Sequence, residues 1–250
     1  MTSIIRVLIT GGTRGIGRAC AEVLAIAGCR VAVHGRCDLE AAKAAAAALP
    51  GEGHLGLIAD LSDPVAPSRL AVDALAAFGG LDVLINNAGL YEPHPLGLGD
   101  APSFDAAWDR HLDVNLNGPA RLIRACLHDL KRSQGRIINI TSRGAFRGEP
   151  ECPAYGAAKA GLNSLTQSLA LALAGDGVGC FAIAPGWVET DMTREHLAGP
   201  GGDDVRRQSP LGRVSTADEV AAAVRFCALD APLAMTGAIL DINGASYLRT

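Results

Sequence analysis

Lysine is scarce in this chain: only Lys43, Lys131 and Lys159 occur among 22 basic residues, the rest being arginine. Aromatic residues make up 4% of the 250 positions, and no apolar run approaches the roughly 18 residues that a membrane span needs. The formal net charge is −4, without runs of like charge, so the electrostatic footprint of a nucleic-acid or anionic-membrane partner is missing. Seven cysteines (20, 29, 37, 126, 152, 180 and 227) form no CxxC pair and have no histidine beside them at metal-ligand spacing. That excludes a sequence-local metal site and leaves reduced packing residues. The opening MTSIIRVLIT has no cleavage-site pattern. The expectation is a soluble, cytoplasmic protein without a metal.

What is present is a repeated alternation. Short β-branched runs at 4–10, 30–34, 54–60, 81–86, 135–141, 178–184 and 237–243 are separated by segments rich in alanine and leucine. Each run is nearly apolar on both faces, the pattern of a parallel strand covered by helices on both sides. The alanine run after Asp38 reads as a helix with a start signal at Asp38 and a stop at Pro50-Gly51. No linker divides the chain, so one α/β domain over 1–250 is expected, a doubly wound seven-stranded parallel sheet. Two glycine- and proline-containing stretches, 90–104 and 194–210, read as loops. Both follow strand C-termini, where doubly wound sheets bind ligands.

The first strand runs into TGGTRGIGRACAEVLA, with glycines at 11, 12, 15 and 17 before a helical pattern. Glycines there let the backbone turn tightly, approach a pyrophosphate and present helix N-terminal N–H groups to it, which points to a dinucleotide site. Further along, PAYGAAKAG places Tyr155 and Lys159 four positions apart on one helical face. Taken alone, this pair suits either a packed aromatic with a wet hydroxyl or proton chemistry. An ammonium about 4 Å from the phenol, at an effective dielectric near 20, is worth roughly 4 kcal/mol, which predicts a tyrosine pKa lowered by up to about 3.

Together, TGGTRGIG (10–17), NNAG (86–89), Asn115 in VNLNG, Ser142 in ITS, YGAAK (155–159) and PGWVETDM (185–192) resemble, in order and spacing, the short-chain dehydrogenase/reductase family. The branch they resemble contains the 3-oxoacyl-carrier-protein reductases. The resemblance implies a Rossmann-type fold, nicotinamide chemistry and a homotetramer. It also implies a catalytic tetrad. In it, Tyr155 is the proton donor and Ser142 hydrogen-bonds the substrate carbonyl. Asn115 holds a water that links Lys159 to solvent, and Lys159 also binds the nicotinamide ribose.

For the cofactor, the resemblance implies contacts from Gly11, Thr13, Arg14, Gly15, Ile16 and Gly17. It adds Asp60 at the adenine with Leu61 beside it, and Asn87, Ala88 and Gly89 beneath the adenosine ribose. Pro185, Gly186, Val188 and Thr190 fall at the nicotinamide. Gly35 occupies the position where NAD-using relatives carry a carboxylate. Arg14 and Arg36 stand as in NADP-using members, so NADP(H) is expected, with NAD(H) the alternative; as plain residues both arginines also suit a solvated surface.

The substrate is less marked. Lys131 and Arg132 supply one basic end suited to an acidic carrier protein, but Asp176 stands where a second is expected. Arg143 and Arg147, just past Ser142, suit an anionic substrate but read more simply as solvated loop charges, and Trp187, Phe146, Tyr91 and Met192 suit either the lining of an apolar pocket or plain packing. The expectation is reduction of a ketone to a secondary alcohol. A dehydrogenase of a sugar alcohol or hydroxy acid, and a nucleotide-binding sensor without catalysis, are the alternatives.

Overall fold

A computed structural model describes residues 4–97 and 99–249, apart from the side chain of Met192. Seven strands form one parallel sheet: β1 (Arg6–Ile9), β2 (Arg30–Gly35), β3 (Leu55–Ile58), β4 (Val83–Asn86), β5 (Arg136–Ile140), β6 (Gly179–Pro185) and β9 (Ile239–Ile242), in the order β3-β2-β1-β4-β5-β6-β9. All seven coincide with the apolar runs. A separate two-stranded pair, β7 (Val188–Glu189) with β8 (Ser215–Thr216), has no counterpart in the sequence reading, being too short to leave a pattern.

Alternation along the strands explains the layers. Val7, Ile9, Val83, Ile85, Ile138, Phe181 and Ile183 point to one face, where they meet α1 (Gly15–Ile26) and α10 (Ala217–Arg225). Leu8, Leu84, Ile137 and Cys180 point to the other. There they meet α3 (Ala66–Phe78), α5 (Gly118–Ser133) and α7 (Pro153–Leu173). A strand with both faces buried can carry few polar side chains, so polar chemistry collects at its ends.

The helix after Asp38 is α2 (Leu39–Ala47), and Asp38 caps it by accepting from the Ala41 N–H at 2.9 Å. Neither expected loop is wholly a loop. Asp100 caps α4 (Ala101–Leu112), which begins inside 90–104. The 194–210 stretch holds most of α8 (Asp191–Ala198) and all of α9 (Gly202–Arg207). Thr190 and Thr193 form a capping box at the start of α8, and Asp203–Arg206 and Asp204–Arg207 pairs brace α9. These local bonds outweigh the glycines and the proline, which mark only the break at 199–201.

Between α4 and α5 the chain makes one π turn, Asp113–Asn117. Pro119, in the first turn of α5, has no N–H to give the carbonyl four residues back, that of Asn115. The short α6 (Gly144–Arg147) follows β5 and leads into α7. Among the described residues, no helix is long and apolar enough to cross a membrane.

Candidate active site

The sheet order reverses between β1 and β4, since β2 and β3 lie on one side and β5, β6 and β9 on the other. The chain therefore leaves these two neighbouring strands in opposite directions and opens a crevice at their C-terminal ends. Side chains stitch its walls together. The Thr10 hydroxyl accepts from the N–H groups of Asn87 and Ala88, both at 3.0 Å. The Asn87 amide donates to the carbonyls of Thr10 at 2.9 Å and Gly11 at 3.0 Å.

The glycine-rich turn on one wall leaves no room for side chains. Gly11 has φ +64°, and a Cβ there would lie 2.9 Å from Ala88 Cα. At Gly17 a Cβ would lie 2.2 Å from the Gly11 carbonyl oxygen and 2.4 Å from the Asn87 amide nitrogen. Arg14 occupies the N-cap of α1 without a capping bond, so the first-turn N–H groups gain no side-chain acceptor. This is a cradle for an anion, and it fits the pyrophosphate of a dinucleotide. Thr13 and Ile16 flank the turn half-buried, and Arg14 is exposed. Across from it, a Cβ on Gly15 would lie 3.4 Å from the Thr190 methyl, which brings the segment after β6 beside the cradle.

His34, in β2, is a residue the sequence reading passed over. Its Nδ1 accepts from the Gly11 N–H at 3.2 Å and its Nε2–H donates to the Ala59 carbonyl at 2.9 Å. Burial lowers its pKa and keeps the ring in this neutral form. A histidine inside an otherwise apolar strand was the available signal.

The rim of the crevice beyond β2 carries Gly35, exposed Arg36 and Asp60. Asp60 accepts from the Ser62 N–H and hydroxyl, and these bonds, with Arg36 nearby, hold its carboxyl below the usual range. Among the described residues, neither Arg14 nor Arg36 enters an ion pair. Leu61 is buried behind Asp60. On the far side, Pro185 ends β6 and Gly186 donates to the Ile242 carbonyl at 3.0 Å. Val188 is buried in β7 and Thr190 caps α8.

The four tetrad positions converge at the ends of β4 and β5. Lys159 is buried and donates to the Ile140 carbonyl at 2.8 Å. Asn115 and Lys159 meet at Gly89, where a Cβ would lie 3.2 Å from Asn115 Oδ1 and 3.6 Å from Lys159 Nζ. The Asn115 amide is held at both ends, accepting from the Leu90 N–H at 2.9 Å and donating to the Leu90 carbonyl at 3.0 Å. The Ser142 hydroxyl accepts from the Gly144 N–H at 3.0 Å and neighbours Tyr155, whose pKa it pulls down.

The expected lowering of the tyrosine does not occur in the free chain. Burial pushes Tyr155 up to about 12, against the pull of the neighbouring Ser142 hydroxyl, and pushes Lys159 down to about 8. The ammonium lies 5.7 Å from the phenol ring centre and is turned to Ile140, so desolvation outweighs the attraction between the pair. At neutral pH Tyr155 is a phenol.

The surrounding residues depart from expectation in several places. Arg143 is buried, not solvated: its guanidinium donates to the Ser246 hydroxyl at 2.6 Å, and burial lowers its pKa. Arg147 is exposed, 4.0 Å from Glu149. Of the four expected pocket residues, three make separate contacts. Tyr91 meets the Tyr155 ring edge-on at 5.1 Å, Trp187 stacks on His196 at 4.8 Å, and Phe146 lies under the Arg249 guanidinium. The fourth, the Met192 side chain, lies outside the described residues. Lys131 pairs with Asp176 at 2.8 Å and Arg132 with Asp129 at 2.6 Å.

The family profile described as enoyl-(acyl carrier protein) reductase matches residues 11–245, a span that contains the cradle and all four converging side chains. The chain belongs to the short-chain dehydrogenase/reductase family. It is 36% identical over 242 residues to 3-oxoacyl-[acyl-carrier-protein] reductase FabG of Escherichia coli, covering 96% of each chain. It is also 34% identical over 242 residues to the Vibrio cholerae protein of the same name, again over 96% of each. To cis-4-hydroxycyclohexanecarboxylate dehydrogenase of Sinomonas cyclohexanicum it is 36% identical over 242 residues, or 95% of this chain and 94% of the relative. As a family member the chain is an oxidoreductase using a nicotinamide dinucleotide.

The cradle geometry generates one prediction. Gly17→Ala forces the turn and Asn87 apart, and is expected to weaken reduced-cofactor binding by at least about tenfold, the equivalent of roughly 1.4 kcal/mol. Titration of the reduced nicotinamide's fluorescence checks it.

Proposed function

We propose that the protein reduces a ketone to a secondary alcohol with NADP(H), using Tyr155 as the proton donor. The observation that carries this reading is a phenol beside the Ser142 hydroxyl and one helical turn from a buried lysine, its pKa pushed up by burial. When bound, the dinucleotide supplies the hydride. Its pyrophosphate suits the N–H groups at Gly15, Ile16 and Gly17. The adenosine half suits Asp60, Leu61 and the Asn87–Gly89 segment, and the nicotinamide end suits Pro185, Gly186, Val188 and Thr190.

Ser142 orients the substrate carbonyl oxygen by a hydrogen bond. Tyr155 gives that oxygen the proton it needs as charge develops there. The resulting phenolate is stabilised by the Lys159 ammonium, whose lowered pKa also lets it pass a proton on. Asn115 supports the relay through its carbonyl, which lacks its α-helical donor.

Arg14 and Arg36 favour NADP(H), because both are exposed at the rim without a carboxylate partner and Gly35 offers none to repel a 2′-phosphate. The substrate is read as a 3-oxoacyl thioester or related ketone, on the strength of the FabG relatives. Docking of an acidic carrier protein is the less supported part, since Lys131 and Arg132 are each matched by a carboxylate. The Sinomonas relative, named for a hydroxylated cyclic carboxylate, favours a second reading in which a hydroxy acid is oxidised. A panel of ketones and alcohols with both cofactors, followed by absorbance of the reduced nicotinamide, separates the two. A cytoplasmic setting goes with either.

A homotetramer is part of this proposal. The outer face of α7 presents Ala157, Ala160, Ser164, Gln167 and Leu171, an uncharged stripe on which Leu171 is 87% exposed. A solvated helix face carries charges, so a neighbouring subunit is the natural cover.

Three outcomes are expected. Tyr155→Phe loses at least about a hundredfold in kcat, the lower end for a general acid, yet binds cofactor; near-normal turnover removes Tyr155 from the role. Arg36→Ala raises KM for NADPH by about tenfold, as expected for a lost charge-assisted bond, and leaves KM for NADH unchanged. Light scattering at micromolar concentration gives four times the chain mass of 25.6 kDa, and the monomer mass refutes the tetramer.

A further inference from the structure

Three side chains far apart in sequence, His94, His111 and Cys152, meet in one buried cluster beside the site. His94 lies in the segment after β4, His111 in the last turn of α4, and Cys152 at the N-cap of α7, three residues before Tyr155. The Cys152 sulfur is 3.3 Å from His111 Nε2 and 3.6 Å from His94 Nδ1.

Hydrogen bonds fix where the protons sit. His111 Nδ1–H donates to the Ala107 carbonyl at 2.7 Å, which leaves Nε2 to accept from the Glu92 N–H at 3.1 Å. His94 Nδ1–H donates to the Glu92 carbonyl at 2.8 Å, and its Nε2 accepts from the Ala154 N–H at 3.3 Å. The Cys152 thiol donates to the same Glu92 carbonyl at 3.3 Å, and burial pushes its pKa up to about 11. Both rings are thus neutral with the proton on Nδ1. Protonating either one sets an N–H against a backbone N–H. A metal ion fits less well, because ligation by His94 Nδ1 would move its proton to Nε2, against the Ala154 N–H.

The cluster grips Glu92 by both backbone groups, and the residue before it, Tyr91, packs edge-on against Tyr155. We propose that His94, His111 and Cys152 are positioning residues that clamp the 90–94 segment to the first turn of α7 and so hold Tyr91 and Tyr155 in the arrangement proton transfer requires. This rests on the reading of Tyr155 as proton donor.

The clamp depends on pH in one direction. The groups facing His111 are Glu92 and His94 from the segment after β4, Arg110 from its own helix, and Cys152 from the turn before α7. Burial first, then His94 and Arg110, lower the imidazole below its ordinary 6.5, against the Ala107 bond and Glu92. A lowered histidine pKa means that the neutral ring's contribution is complete above 6.5 and is lost as pH falls through the folded-state value.

The test is the pH profile of kcat and kcat/KM for wild type, His111→Gln and His111→Leu, with cofactor binding measured alongside. Glutamine keeps an acceptor for the Glu92 N–H and does not titrate. It is expected to hold plateau activity within about threefold of wild type while its acid limb moves to lower pH. Leucine takes the acceptor away from the part-buried Glu92 N–H and is expected to lower kcat/KM by about tenfold or more, with cofactor affinity unchanged. An acid limb unmoved in His111→Gln overturns the clamp, and this variant decides even where His111→Leu fails to fold. Stoichiometric zinc in the purified enzyme, lost in Cys152→Ala, overturns it in favour of a metal centre. An active Tyr155→Phe removes instead the reading on which the clamp rests.

Discussion

The bond from the buried Lys159 ammonium to the Ile140 carbonyl ties α7 to the sheet. Taking an ammonium out of water is costly, and a carbonyl at a strand end is one of the few acceptors that a largely apolar sheet leaves free. Because Ile140 is two residues before Ser142, the same contact sets the serine hydroxyl against the tyrosine one turn away. Strand end, lysine and phenol therefore form one unit, and the pKa values of its members move together. Burial that lowers Lys159 to about 8 also raises Tyr155 to about 12. The free chain therefore holds its proton on the phenol.

A second constraint comes from the opposite wall. The cradle at Gly11–Gly17 is held open by contacts that admit no side chain, and three elements maintain it: β4 through Asn87, β2 through His34, and the segment after β6 through Thr190. None of these touches the tetrad directly. Asn87 and Gly89 lie two residues apart on one strand exit, however, so the wall that shapes the cradle also carries the glycine at which Asn115 and Lys159 meet. The glycine-rich turn and the Asn115–Lys159 meeting point share the loop after β4.

The strands and the two motif regions were legible because their signals are local: runs of β-branched residues, a glycine turn, and a tyrosine and lysine one helical turn apart. Helices α8 and α9 were not, because their stability comes from a Thr190–Thr193 box and from Asp–Arg pairs that look like a polar loop when read along the chain. Arg143 was misread for a related reason. An arginine after a strand is usually solvated, and only the C-terminal segment folding back with Ser246 buries this one. The tyrosine's pKa failed in sign, since spacing reports the charge nearby but not the water removed.

The cysteine reading, free packing residues, holds for five of the seven and breaks most instructively at Cys152. Six of the seven are buried, and five of those pack among apolar neighbours in the two core clusters. Cys152 is different because its partners come from α4 and from the segment after β4, 41 and 58 positions away. Such a cluster leaves no spacing in the sequence to find. It needs α4 to cross the N-terminus of α7, and that crossing follows from the π turn at Asp113–Asn117 that also places Asn115. One irregular turn thereby aligns two separate polar groupings around Tyr155, Asn115 on the lysine side and His111 on the Tyr91 side. A regular helix through 113–117 would displace both at once, so the π turn is the local feature on which the geometry of the site most depends.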